Sequence, residues 1–106
     1  MTLTIYDRIT LHSLLPDKAQ TYEQAIIVRD LRKKLILSQD ELLKYNVRTE
    51  LRDGKPLLMW NNDESSIKNI EFTELELGIL TKTFETITEF PTSDEFLRLY
   101  ELMKVK

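Results

Sequence analysis

The chain has 106 residues and a mass of 12.6 kDa, with 42% hydrophobic and 31% charged residues. That length suits one domain spanning 1–106, and the composition excludes both a disordered polymer and a membrane-embedded bundle. Fifteen Lys and Arg against eighteen Asp and Glu leave a net charge of −3, so no overall positive field draws the chain onto a phosphate backbone.

The charge is uneven. Residues 1–48 carry eight basic and six acidic side chains (+2), and residues 49–106 carry seven basic and twelve acidic ones (−5). Cysteine is absent, which removes disulfides, thiolate metal sites and cysteine nucleophiles and suits a reducing cytosol. The opening Met1 to Asp7 has no signal-peptide character, and no apolar run approaches the roughly 20 residues of a membrane span. A cytoplasmic protein without membrane attachment is expected.

In chain order, Ile5, Ile9, His12 and Leu15 at near-helical spacing predict a first helix from about Leu3 to Leu15, ended by Pro16. Four capping boxes then mark helix starts: Thr21/Gln24, Ser38/Glu41, Thr73/Glu76 and Thr92/Glu95. In each, the hydroxyl accepts from a first-turn amide while the acid or amide side chain reaches back to the cap's own N–H. Between the second and third of these the period changes. Val47, Thr49 and Leu51 alternate before Asp53-Gly54, and Pro56 to Trp60 follows as an apolar run, which predicts a β-hairpin with Pro56 at a strand start or edge.

Asn61 to Ser66 reads as a polar loop, and the alternation of Lys68, Ile70 and Phe72 suggests a short third strand. The threonines at 81, 83, 86 and 88 are β-branched, yet Leu77, Leu80, Phe84 and Ile87 share one helical stripe behind a capping box, so this segment is read as helix. The expected architecture is α+β: about five helices around a small antiparallel hairpin or three-stranded sheet, in the order α-α-α-β-β-(β)-α-α.

Two glycines, Gly54 and Gly78, cannot build a glycine-rich phosphate cradle, and a single histidine, His12, excludes two-histidine metal motifs. His12 lies on the stripe with Ile5 and Ile9, where a structural, partly buried imidazole is the plainer account. The oxygen-rich Asn61 to Ser65 segment fails as a calcium loop. Counting from Asp63 puts Lys68 at the turn glycine, and counting from Asn61 puts Phe72 at the bidentate glutamate. Glu71, Glu74, Glu76, Glu85 and Glu89 read as first-turn and solvent-face acids rather than a catalytic pair. No catalytic residue, cofactor or metal ligand is expected.

What remains is surface. On the second helix, Ile27, Val28, Leu31 and Leu35 form one stripe, with Tyr22, Ile26, Arg29 and Lys33 roughly opposite. The second stripe either packs on a neighbouring helix or, with its aromatic, apolar and Arg content, meets a partner protein. Trp60 is a core anchor, or a binding residue if it faces the polar loop. The helix after Thr73 also has apolar residues on two sides, and its outer set of Leu75, Ile79 and Phe90 could join two copies of the chain. Arg29, Arg32, Lys33 and Lys44 make a basic stripe that a nucleic-acid binder would use, although the net charge disfavours it.

The segments Leu3 to Thr10, Leu14-Leu15-Pro16, Ile27 to Arg32 and Phe96 to Glu101 resemble small accessory proteins of tailed bacteriophages and prophages of Gram-positive bacteria. The resemblance covers most of the length and carries no catalytic motif. It implies a cytosolic or virion-associated protein of a bacterial host that acts by binding. The expected function is a non-enzymatic protein-binding module, with a self-associating assembly component as the alternative.

Overall fold

Side-chain caps set the helix starts. In the computed structural model, which describes residues 1–61, 63–87 and 91–104, the helices are α1 (Ile5–Leu14), α2 (Tyr22–Leu35), α3 (Gln39–Lys44), α4 (Glu74–Glu85) and α5 (Asp94–Lys104). Thr21 caps α2 by accepting from Gln24 N–H, and the reciprocal boxes Ser38/Glu41 and Thr73/Glu76 open α3 and α4. The fifth start differs from expectation. Ser93, not Thr92, accepts from the Phe96 N–H at 3.3 Å, which moves the cap one residue along. The first helix also has a full box, with Asp7 N–H donating to Thr4 Oγ1 at 3.1 Å and Thr4 N–H to Asp7 Oδ2 at 3.0 Å.

That box starts α1 at Ile5 rather than Leu3. The two preceding residues, β1 (Thr2–Leu3), pair antiparallel with a distant short strand. The hairpin is β2 (Arg48–Arg52) and β3 (Lys55–Met59), and the distant strand is β4 (Lys68–Asn69), reached through a 3-10 turn at Glu64–Ser66. The fold is α+β, but the strands form two separate two-stranded sheets, β1-β4 and β2-β3, instead of one three-stranded sheet. The reason lies at the N-terminus. The Met1 ammonium donates to Asn69 Oδ1 at 2.9 Å and to Ile70 O at 3.0 Å, and Ile70 N–H returns a bond to Met1 O at 2.8 Å. These bonds hold the third strand against the chain's start.

The segment from Thr81 is helical as expected through Glu85, while Thr88 lies outside the described residues. Its β-branched threonines are accommodated by back-bonding. Thr83 Oγ1 donates to Ile79 O and Thr86 Oγ1 to Thr83 O, both at 2.8 Å, so the hydroxyls spend their bonding capacity on the helix's own carbonyls.

Among the described residues, twelve buried apolar side chains form one cluster: Leu3 from β1, Leu11 and Leu15 at α1, Val28, Leu31 and Leu35 from α2, Ile70 after β4, Leu80 and Phe84 from α4, and Phe96, Leu99 and Met103 from α5. The stripe read on α2 is therefore its core face, with Ile27 half-buried at the margin. The ring of Phe84 meets Phe96 and Tyr100 in tilted contacts at 6.1 and 5.9 Å, joining α4 to α5.

Three ion pairs tie the helices together outside this cluster: Asp7 with Arg98, Glu41 with Arg8, and Glu76 with Lys34. Each carboxylate belongs to the third residue of its helix, the acid of a capping box, so one side chain both opens its own helix and holds a cation from another. Glu76, expected as a helix-start acid, is consequently buried, with Lys34 Nζ at 2.6 Å and Thr73 N–H at 2.8 Å on the same oxygen.

The β2–β3 ribbon stands apart from the helices. Its base is tied by Val47 N–H to Leu42 O at 3.0 Å and by Asn61 N–H to Tyr45 O at 2.8 Å, while every residue from Leu51 to Leu58 is exposed. Asp53 and Gly54 have φ of 53° and 76°, the left-handed pair that a two-residue hairpin turn requires. Among the described residues no helix is long and apolar enough to cross a membrane.

Candidate functional site

The residues Tyr22, Ile26, Arg29 and Lys33 recur at helical spacing, so they form one line of about 16 Å along α2, turned from the core stripe. The structure leaves Tyr22 77% exposed, which rules out its packing on a neighbouring helix. Ile26 is half-buried. Arg29 and Lys33 are exposed, and among the described residues Arg29 pairs on the surface with Asp30 at 3.3 Å, a contact worth little in water.

Arg29 and Lys33 also form one rim of a groove of about 440 Å³ between α2, the end of α1 and the 16–19 connection. Its apolar lining comes from Pro16, Ala19, Ala25, Val28 and Ile36. Its remaining charged or titratable lining is Lys18, Arg32, Asp17 and His12. Four cations against one acid make this concavity basic within an acidic chain.

Arg32 is committed to the scaffold. Its guanidinium donates to the carbonyls of Leu15 and Pro16 at 3.1 and 2.9 Å, closing the α1–α2 connection after the helix is ended by Pro16. Burial, and then the neighbouring Arg32 charge, hold the His12 imidazole below its ordinary pKa, so at neutral pH it is an uncharged wall of the groove. Lys18 and Lys33 form no ion pair among the described residues. The basic stripe read from sequence is broken up accordingly, because Arg32 faces the connection and Lys44 lies 5.4 Å over the ring of Tyr45 on α3.

Trp60 is half-buried and lines a second groove, of about 450 Å³, with Tyr6, Ile67, Asp63, Glu64, Glu95 and Arg98 among its other walls. Its charge is the opposite of the first. Asp63 turns its carboxylate onto the Ser65 N–H at 2.9 Å, so the polar loop uses this oxygen to build its 3-10 turn, and that hydrogen bond lowers the Asp63 pKa. The self-association set read from sequence is placed only in part. Leu75 is 68% exposed, Ile79 packs against the core cluster, and Phe90 lies outside the described residues.

Sequence reasoning missed Lys18 and the groove itself, because the groove depends on how the 16–19 connection folds back on α2. The one available signal was the run Pro16-Asp17-Lys18-Ala19, whose small and basic residues are what a solvent-lined concavity needs. Comparison with protein-family models, with curated proteins and with solved structures returned no match for this chain.

Proposed function

We propose that this chain is a non-enzymatic protein-binding module that receives an acidic, partly apolar segment of another protein on the outer face of α2. The observation that carries the reading is the junction of two features at Arg29 and Lys33. They end a line that runs from exposed Tyr22 through half-buried Ile26, and they also line the basic, partly apolar groove. Such a surface offers an exposed aromatic anchor, an apolar lining and cations that select for carboxylates, the ingredients of a protein-protein hot spot.

With the resemblance to phage and prophage accessory proteins, the reading becomes that of a phage-encoded chain acting in the bacterial cytoplasm on a host or phage protein. The alternative, an assembly component joined through Leu75, Ile79 and Phe90, is supported by the exposure of Leu75 alone. A nucleic-acid partner is disfavoured by the net charge of −3 and by the commitment of Arg32 to backbone carbonyls.

The test is affinity capture from a bacterial lysate with the wild-type chain and the Arg29→Ala/Lys33→Ala variant side by side. The expected result is loss of the captured protein with an unchanged Tm. Equal capture by both chains, or nuclease-sensitive retention of DNA or RNA with a steep salt dependence, would contradict it.

A further inference from the structure

The β2–β3 ribbon has an apolar face that none of the described residues covers. Cross-strand partners share a face, so Thr49, Leu58, Leu51 and Pro56 lie together on one side, and all four are exposed. A two-stranded ribbon is marginal in water on its own and gains most from an added strand.

Its two outer edges are not equivalent. The two-residue turn makes Arg52 and Lys55 a hydrogen-bonded pair, and bonded and non-bonded pairs alternate from there. The backbone groups of Leu51, Pro56, Thr49 and Leu58 therefore point outward. Pro56 has no N–H, which spoils the β3 edge as a template. The β2 edge keeps both donors and both acceptors, at Thr49 and Leu51.

We propose that this β2 edge pairs antiparallel with the β2 edge of a second copy about a two-fold axis at Leu51, making a four-stranded sheet across the dimer. Outward groups can meet outward groups in three symmetric registers, and charge and space choose between them. An axis at Glu50 sets Glu50 against its own copy and Arg48 against Arg52, two kinds of like-charge pair. An axis at Thr49 drives the partner's turn onto Tyr45, which is buried and whose backbone already bonds Glu41 and Asn61. An axis at Leu51 sets Leu51 on Leu51 and places Glu50 opposite Arg52 twice, with the helical bodies at opposite ends. Within one copy Glu50 already lies between Arg48 at 3.1 Å and Arg52 at 3.7 Å, so its carboxylate is held on the face where the second Arg52 arrives.

Sedimentation equilibrium tests this, run up to about 1 mM because so small an interface falls in the weak, reversible class. The wild-type mass should rise with concentration toward twice 12.6 kDa. Glu50→Arg and Arg52→Glu should each weaken the dimer at least tenfold, and the double exchange should restore it. Leu51→Pro, which removes an outward N–H and spares the internal ladder, should leave a monomer whose Tm matches the wild type. A wild-type monomer at the highest concentration, a dimer indifferent to the single changes, or no recovery in the double exchange would each overturn the proposal.

Discussion

Arg8 and Glu41, 33 residues apart in sequence, meet in a two-point guanidinium–carboxylate contact at the junction of three helices. The same guanidinium donates to Leu35 O at 3.2 Å and Ile36 O at 2.8 Å, the carbonyls left open where α2 ends. One buried cation on α1 thus closes the end of α2 and binds the acid that opens α3. Its side chain is 1% exposed, so losing the carboxylate would strand a charge away from water. Glu41→Gln should cost about 3 kcal/mol of unfolding free energy, read by urea titration at pH 7. A cost below about 0.5 kcal/mol, the range of exposed pairs, would show the contact to be ornamental.

Acid should weaken the same junction. The hydrogen bond from Arg8, opposed by partial burial and aided by the Ser38 N–H, lowers the Glu41 pKa from 4.5 to about 2. A carboxyl with a depressed folded pKa contributes fully above its unfolded value, and the contribution is lost as pH falls through the folded one. The stability gap between wild type and Glu41→Gln should therefore be constant above about pH 4.5 and close as pH falls toward 2. Glu76 makes the whole fold more acid-sensitive in the same direction, since burial alone would raise its pKa but the bonds from Lys34 and Thr73 bring it down, and it cancels from this gap because both chains carry it. A gap that stays constant to pH 2 would contradict this assignment.

The helix starts could be read locally because a cap involves residues three apart, and three of the four marked threonines and serines do cap. The fourth moved by one position because Thr92 and Ser93 are both competent and only the latter immediately precedes the helix. The α1 box escaped notice because its acid is Asp7, shorter than the Glu or Gln of the usual pattern. The pairing of β4 with β1 was illegible for a different reason: a two-residue strand has no period, and its partner lies 65 residues or more away. Likewise Asp7–Arg98, Arg8–Glu41 and Lys34–Glu76 are set by tertiary packing. Each nevertheless ends on a capping-box acid, a position the local pattern identifies for Glu41 and Glu76 though not for Asp7.

His12 gives a direct probe of the groove. Burial and the Arg32 charge both lower its pKa, so its imidazole proton shifts should titrate with a midpoint below 6.5. Arg32→Met should move the midpoint upward without bringing it fully to 6.5, because the burial contribution persists. A wild-type midpoint at or above 6.5 would mean that the groove wall is open to water.

The ribbon should open independently of the core. Gly54 sits at φ of 76°, where an added β-branched side chain is strained even though no atom lies within 4 Å of its Cβ position. Gly54→Val should erase the cross-strand Hα–Hα contact between Thr49 and Leu58 while costing the helical body less than about 1 kcal/mol. Cooperative loss of the whole fold would show that the ribbon supports the core.

The central claim is that the outer face of α2 and its groove receive a partner protein. The most direct measurement is an amide correlation spectrum of the isotopically labelled chain, recorded as the captured partner is added. The account predicts shifts concentrated at Tyr22, Ile26, Arg29 and Lys33 and along Lys18 and Ala19. A footprint confined to Leu75 and Ile79, or to the walls around Trp60, would contradict it.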